Sequence, residues 1–153
     1  NGDTTLTPDT HYTTAGLVVT ILKTYLDDLD EGDATITIET NKGNVTAVIT
    51  VIDTTTLTAD PATATFDKNT GGEGYDDVAI EVKHNTSGVT LTSVKNGDTT
   101  LTPDTHYTTA GLVITILKTY LKTLDEGDAT ITIETNKGNV TTVITVEDTT
   151  PSG

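Results

Sequence analysis

The chain has 153 residues and a formal net charge of −15, from 23 Asp and Glu residues against eight lysines. Nucleic acids and anionic membranes are therefore poor partners, because phosphate binding needs clustered basic side chains. The absence of cysteine excludes disulfides, thiol catalysis and cysteine metal sites. No apolar run approaches the ~18 residues of a membrane span.

One stretch of the chain is written twice. Residues 1–55 return as residues 96–150, a period of 95 residues. Five of the 55 aligned pairs differ, namely Val19/Ile114, Asp27/Lys122, Asp28/Thr123, Ala47/Thr142 and Ile52/Glu147. A period this long is typical of a tandem array of whole domains.

The repeated stretch begins with turn chemistry over residues 1–16 and then predicts a largely apolar strand over residues 17–22. Leu22, Leu26 and Leu29 follow at helical spacing, which predicts one or two helical turns that cross between sheets. An alternating strand over residues 34–39 comes next. Asn and Gly at residues 41–44 then predict a hairpin turn into a returning strand.

The unique middle of the chain predicts three more strands between residues 62 and 95. A glycine-rich loop over residues 67–77 separates the first two strands. The third strand is expected to have a bulge at Ser93, because Val94 falls out of alternation. The polar segment 55–61 has the composition of an inter-domain linker.

Together these patterns predict an all-β, immunoglobulin-like β-sandwich of about seven strands, with one short helical crossover per repeat. Residues 62–149 are expected to form one complete repeat, and residues 150–153 a tail or the start of a further linker. Residues 1–54 are expected to be the C-terminal half of another repeat, whose first three strands are missing from the chain. That half would expose apolar surface and unpaired strand edges.

Several segments resemble the hydrophilic X module of clostridial cellulosome scaffoldins and related bacterial surface proteins. They include DPATATFDKN at residues 60–69, the Asn96-Gly97 turn, and the Lys118-Thr119-Tyr120-Leu121 crossover. The resemblance covers residues 60–146 and, as a C-terminal portion, residues 1–51. It implies an immunoglobulin-like fold, secretion, a spacer or solubilising role with weak attachment to cell wall or polysaccharide, and no catalytic residues.

The residues themselves also predict no enzyme. The only serines are Ser87, Ser93 and Ser152, and the three histidines lie beside turns with no sign of a triad. We therefore expect His11, His84 and His106 to be surface residues.

Acidic clusters are the only metal candidates in the sequence, since calcium takes oxygen ligands from loops. They do not match the spacing of an EF-hand, so solvated turns are the competing interpretation, and no cofactor is otherwise expected. The calcium candidates are Asp30, Glu31, Asp33, Asp125, Glu126, Asp128, Asp67, Asp76 and Asp77, with Glu73 in the same loop as the last three.

Sugar binding usually uses flat aromatic platforms, and the chain offers five tyrosines but no Trp. Tyr25 and Tyr120 lie in the predicted crossovers, where packing at the corner is the competing interpretation. Tyr12, Tyr75 and Tyr107 are candidates for exposed rings.

Three functions remain open from the sequence, all extracellular or at the cell surface. The first is a non-catalytic spacer built of tandem repeats. The second is a subunit of a fibre or surface filament, in which the incomplete half is completed by strands of another chain, by upstream residues or by a second incomplete half. The third is a module that binds polysaccharide or cell wall weakly. The expected partners are thus neighbouring repeats, other copies of the chain, or a glycan.

Overall fold

The computed structural model describes residues 1–152, and β-strands dominate it. The chain divides into two compact units. Unit 1 comprises Asn1–Thr54, and unit 2 begins at Thr55. The all-β class predicted from the alternating, Thr-rich sequence is confirmed.

Unit 1 consists of two antiparallel hairpins with a one-turn helix between them. Its elements are β1 (Tyr12–Ala15), β2 (Val18–Ile21), α1 (Lys23–Leu26), β3 (Gly32–Thr40) and β4 (Gly43–Val51). The structure thus has a short helix where the leucine spacing predicts one.

Unit 2 places four strands, and then one strand of two residues, ahead of the same succession of elements. The four are β5 (Leu57–Asp60), β6 (Thr63–Asp67), β7 (Val78–His84) and β8 (Leu91–Asn96). The rest are β9 (Thr99–Thr100), β10 (Tyr107–Ala110), β11 (Val113–Ile116), α2 (Lys118–Leu121), β12 (Gly127–Thr135) and β13 (Gly138–Glu147).

Two sheets face each other in unit 2, with strand orders β10-β11-β7-β5 and β6-β13-β12-β8-β9. All neighbouring strands are antiparallel except β6 and β13, which run parallel. Apolar side chains from both sheets form one buried core, with Phe66, Ile80, Ile114, Ile116, Ile131 and Ile144 fully buried. The immunoglobulin-like sandwich predicted for this region is confirmed.

The β12–β13 hairpin shows how local sequence sets the fold. Ala129, Ile131 and Ile133 alternate with polar residues, so one face of β12 is buried. Gly138 takes a φ of 132°, which suits a residue without a side chain at the start of the returning strand. The Thr135 hydroxyl donates to the Gly138 carbonyl at 2.7 Å and closes the turn.

The linker expected at residues 55–61 is wrong in part, because residues 57–60 form β5. This strand pairs with β7, from Leu57 opposite His84 to Asp60 opposite Glu81. Leu57 and Ala59 pack against the core, and the threonine and aspartate between and after them are exposed. Unit 2 therefore starts before residue 62.

Three further details differ from the sequence prediction. The segments expected to be only turns contain β1 and β10, which form tight hairpins with β2 and β11. The expectation that Tyr107 carries an exposed ring is wrong, because it is buried at the start of β10. Burial raises the pKa of its phenol, and the Asp104 carboxylate adds to the shift. The bulge in β8 lies at Thr92 and not at Ser93, because Glu134 pairs with Ser93 and Thr135 pairs with Leu91.

Across residues 1–152, neither helix is long and apolar enough to cross a membrane.

Candidate functional site

The helix α2 is held against the sandwich at both ends. Leu121 at its C-terminal end is fully buried in the core. At its N-terminal end the Lys118 amide donates to Asp77 Oδ1 at 2.8 Å. An acceptor at this position satisfies one of the amides that a first helical turn leaves unpaired. The exposed side of α2 is therefore a fixed surface.

On one flank of α2, the rings of His106 and Tyr120 stack, with centroids 4.6 Å apart and planes inclined by 37°. The Tyr120 hydroxyl accepts from Asn96 Nδ2 at 3.0 Å, which anchors it to the end of β8. His106 Nδ1 accepts from the Thr102 amide at 3.0 Å. In the neutral imidazole the proton then lies on Nε2, so that nitrogen is a donor.

A shallow depression surrounds this ring pair, and we call it the His–Tyr depression. It is lined by Thr105, His106, Thr119, Tyr120 and Thr123. The Thr105 and Thr119 hydroxyls, the imidazole and the phenol ring offer donors, acceptors and an apolar ring face without a carboxylate or an ammonium group. The Thr123 hydroxyl donates to the Tyr120 carbonyl at 2.7 Å. The chemistry of this surface suits a neutral, hydroxyl-rich ligand.

Unit 1 builds the same ring pair from its copy of the sequence. His11 and Tyr25 stack with centroids 4.7 Å apart and planes inclined by 41°. Asn1 Nδ2 donates to the Tyr25 hydroxyl at 3.0 Å, and the Thr7 amide donates to His11 Nδ1 at 2.9 Å. The repeated stretch alone is thus sufficient for this arrangement, without strands β5–β8.

The other flank of α2 carries a third aromatic ring that only unit 2 has. Tyr75, from the glycine-rich loop, packs on Phe66 with centroids 5.6 Å apart. The Nζ atoms of Lys118 and Lys122 lie 5.6 and 5.9 Å from the Tyr75 centroid, within cation–π range. In unit 1 the position of Lys122 is Asp27, which instead pairs with Lys23.

Asp67, one of the calcium candidates, is a structural acceptor. It lies buried at the end of β6 and accepts from the hydroxyl and amide of Thr149 and from the amide of Asn69. The Thr149 hydroxyl, then the Asn69 amide, then the Thr149 amide hold the pKa of Asp67 below its ordinary value. This carboxylate fastens the glycine-rich loop to the segment after β13.

The other acidic candidates also accept hydrogen bonds from protein groups or lie exposed at turns. Asp33 accepts from Thr50, and Asp128 from Thr145, both at 2.7 Å. Glu31 accepts from the Asp53 amide at 2.8 Å, and Asp76 from the Asp77 amide at 2.9 Å. The exposed turn residues are Asp30, Glu73, Asp125 and Glu126. Within residues 1–152, no three His, Asp or Glu side chains converge as a metal site would require.

A polar cluster on the outer face of the five-stranded sheet was not singled out from sequence. Glu134 accepts from Lys95 Nζ at 2.7 Å and from the Ser93 hydroxyl. The hydrogen bonds from Lys95 and then Ser93 hold the pKa of Glu134 below its ordinary value. The three residues lie on two strands far apart in sequence, so only the pairing of β8 with β12 brings them together.

Two stretches of the chain, residues 1–51 and 59–146, match the sequence model of the family described as carbohydrate binding domain X2. The chain is 38% identical over 148 residues to cellulose-binding protein A of Clostridium cellulovorans, covering 90% of this chain and 7% of that protein. It is 35% identical over 91 residues to a xyloglucanase of a Paenibacillus species, covering 59% of this chain and 8% of that protein. The chain thus spans less than a tenth of either relative.

Among solved structures, a tri-modular endo-β-1,4-glucanase from Bacillus licheniformis, complexed with cellotetraose, resembles the chain in fold. Its TM-score is 0.51 at 20% identity, and the match covers 95% of this chain and 31% of that one. At this identity the likeness shows the fold alone. From the matched residues, the chain belongs to the carbohydrate-binding domain X2 family and is a non-catalytic module.

Proposed function

We propose that the chain acts outside the cell as a module that binds a neutral polysaccharide of the β-glucan type weakly, through the His–Tyr depression. The observation that carries the proposal is the tilted His106–Tyr120 ring pair in a threonine-lined depression, in a member of a carbohydrate-binding family. The relatives named for cellulose and xyloglucan support β-glucan as the substrate class.

The electrostatics of the chain favour a neutral glycan over an anionic one. The net charge of −15 repels uronic acids and phosphate-bearing cell-wall polymers. The lining of the depression has no acidic or lysine side chain. Neutral hydroxyls of a glucan can accept from His106 Nε2 and exchange hydrogen bonds with the threonines.

The affinity should be weak, because the surface is shallow. One ring contact and a few exchanged hydrogen bonds contribute about 1 kcal/mol each. A dissociation constant on the order of 1 mM, equivalent to about −4 kcal/mol, is the expected scale per site. Unit 1 repeats the ring pair but has Asp28 in place of Thr123, so it would be a weaker second site that raises retention on an insoluble polymer through multivalency.

The test is affinity electrophoresis of the whole chain in gels containing soluble β-glucan, together with NMR titration by cello-oligosaccharides. His106→Ala should weaken retardation, and His11→Ala with His106→Ala should abolish it. His84→Ala is the matched control, since His84 lies at the end of β7, outside the depression. Equal retardation of the control and the double variant would reject the site. Retardation by none of the chains would reject the function.

A spacer role is the second candidate. It is favoured by the position of the ring pair, since the Asn96–Tyr120 hydrogen bond fastens the crossover helix to the end of β8. If the pair only packs, His106→Ala should lower the thermal stability of unit 2 without any effect on glycan retention. The same variants therefore distinguish the two functions.

A further inference from the structure

The two copies of the repeated stretch differ in burial far more than in sequence. Val45 is 59% exposed in unit 1, whereas its counterpart Val140 is 6% exposed in unit 2. Ala34 and Ile36 are the apolar residues that are buried in both copies. Nine other apolar positions are buried in unit 2 but partly or fully exposed in unit 1. In unit 1 they are Leu6, Tyr12, Val19, Ile21, Leu26, Ile38, Val45, Ile49 and Val51.

Three strand edges differ in the same way. In unit 2, β11 pairs with β7, β12 with β8, and β13 with β6. Their counterparts β2, β3 and β4 have one strand partner each within residues 1–152. The open edges and the exposed apolar residues both lie where β5–β8 cover unit 2.

We propose that unit 1 is a docking surface for a second β5–β8 segment, a polypeptide with the sequence character of residues 57–95 supplied by another repeat. The segment would bind with β7 beside β2, β8 beside β3 and β6 beside β4. Unit 2 accepts such a segment in this register, and 50 of the 55 aligned residues are identical in the two copies of the repeated stretch.

Polar groups on unit 1 match the proposed occupant. In unit 2, Lys95 and Ser93 of the segment bond to Glu134, whose counterpart Glu39 is exposed. Asp77 of the segment accepts from the Lys118 amide, and unit 1 has Lys23 at that position. At Glu39 and Lys23 a docked segment would therefore find polar partners that it has in unit 2.

Charge disfavours a second unit 1 as the occupant. Residues 1–54 contain nine Asp and Glu residues against two lysines, so two such surfaces bring together equal negative charges. Residues 57–95 contain six acidic residues against three lysines. The segment is thus the less repelled of the two, and its fit is already seen in unit 2.

One position makes the proposal quantitative. The Thr142 hydroxyl is buried and donates to the Pro61 carbonyl at 2.9 Å, but unit 1 has Ala47 there. A docked segment would leave the Pro61 carbonyl without this donor. Ala47→Thr should therefore tighten binding of the segment by about fivefold.

The first experiment adds a labelled peptide of residues 55–95 to the full 153-residue chain and follows fluorescence anisotropy and ANS emission. The expected result is one peptide per chain, loss of ANS binding, and the fivefold gain with Ala47→Thr. Val45→Asp should weaken binding at least about tenfold, since it would bury a charge. The matched control is Ile52→Asp, because Ile52 is 72% exposed and its counterpart Glu147 is exposed in unit 2 as well.

If the peptide aggregates or replaces β5–β8 of unit 2, the segment is instead fused to the chain. Residues 55–95 placed directly before Asn1 recreate the Lys95–Asn96 junction of unit 2. The fused chain should lose ANS binding and gain a second cooperative unfolding transition. Persistent ANS binding with no second transition would overturn the proposal. The proposal would also be overturned if the 153-residue chain self-associated, bound no ANS and did not bind the peptide. A second copy of the chain would then be the occupant.

Discussion

The same 55-residue sequence is a buried half-sandwich in unit 2 and an exposed pair of hairpins in unit 1. Both copies form the same two hairpins, the same one-turn helix and the same ring pair. They differ in what covers their apolar side chains, since only unit 2 includes β5–β8. Local sequence therefore sets secondary structure in this repeat, and burial depends on strands contributed from elsewhere.

The largest expected effect comes from one isoleucine that both copies share. Ile144 is fully buried and Ile49 is partly exposed. Ile144→Ala should destabilise unit 2 by about 2–5 kcal/mol, through lost burial and a cavity. Ile49→Ala should cost unit 1 less than about 1 kcal/mol. Urea unfolding followed by NMR, with Phe66 signals for unit 2 and Ala47 signals for unit 1, measures both, and equal costs would break the comparison.

A hydrogen bond unique to unit 2 gives the next effect. Thr142→Val removes the donor to the Pro61 carbonyl and should cost unit 2 about 1 kcal/mol. The corresponding position of unit 1 is Ala47. Without added segment, Ala47→Thr should leave the stability of unit 1 unchanged, because that position is exposed. A stabilised unit 1 in the absence of added segment would show that another group already covers the site.

Acid should weaken unit 2 through Asp67. Its pKa is lowered in the fold, so its contribution to stability is present above the ordinary value of about 3.8 and is lost as the pH falls through the folded-state value. Thr149→Val removes the largest cause and should move acid unfolding of unit 2 to higher pH. Thr145→Val is the control, because its hydroxyl bonds to the exposed Asp128. Identical acid transitions in both variants would contradict the role of Asp67.

The smallest effect is expected on the helix surface. Asp27→Lys gives unit 1 the lysine that unit 2 has at Lys122, and it breaks the exposed Lys23–Asp27 ion pair of unit 1. Exposed pairs of this spacing contribute about 0.3–0.5 kcal/mol, so thermal unfolding of unit 1 should barely move. A loss above about 1 kcal/mol would mean that this helix is anchored differently in the two copies.

The sequence was informative where side chains alternate over many residues. The β3–β4 and β12–β13 hairpins follow from alternating Ala, Ile and Val around an Asn-Lys-Gly turn. The short helices follow from leucines at spacings of four and three. Counting strands in the repeat predicts that residues 1–54 are an incomplete half, and this stays a prediction; the exposed Val45 and Val48 are apolar surface of the kind it expects.

Short strands without clear alternation were not predicted. Residues 12–15 and 107–110 are Tyr-Thr-Thr-Ala, with too few apolar positions to reveal a strand, and tight hairpins with β2 and β11 define them. The strand β5 lies in Thr-rich sequence just before a proline, which resembles a linker until its pairing with β7 is known. These strands depend on partners and not on their own pattern.

Most contacts of the candidate site could not be predicted from the sequence either. Nothing in the sequence links the histidines to the crossover tyrosines, because the ring contact joins residues 14 apart through a hairpin. Asp67 was noted as a calcium candidate, but its hydrogen bonds to Thr149 join residues 82 apart. Contacts of this length are set by the order of strands in the sheets, which no single segment specifies.

Hydrogen exchange of the two hairpins in the full chain tests the central claim most directly. Amides of β12 and β13 should exchange at least about 100-fold more slowly than the equivalent amides of β3 and β4, because only the former pair on both sides and lie in a closed core. Peptides containing Ala47 or Thr142 distinguish the copies by mass. Equal protection of both hairpins would contradict the claim, since it would mean that unit 1 is already covered.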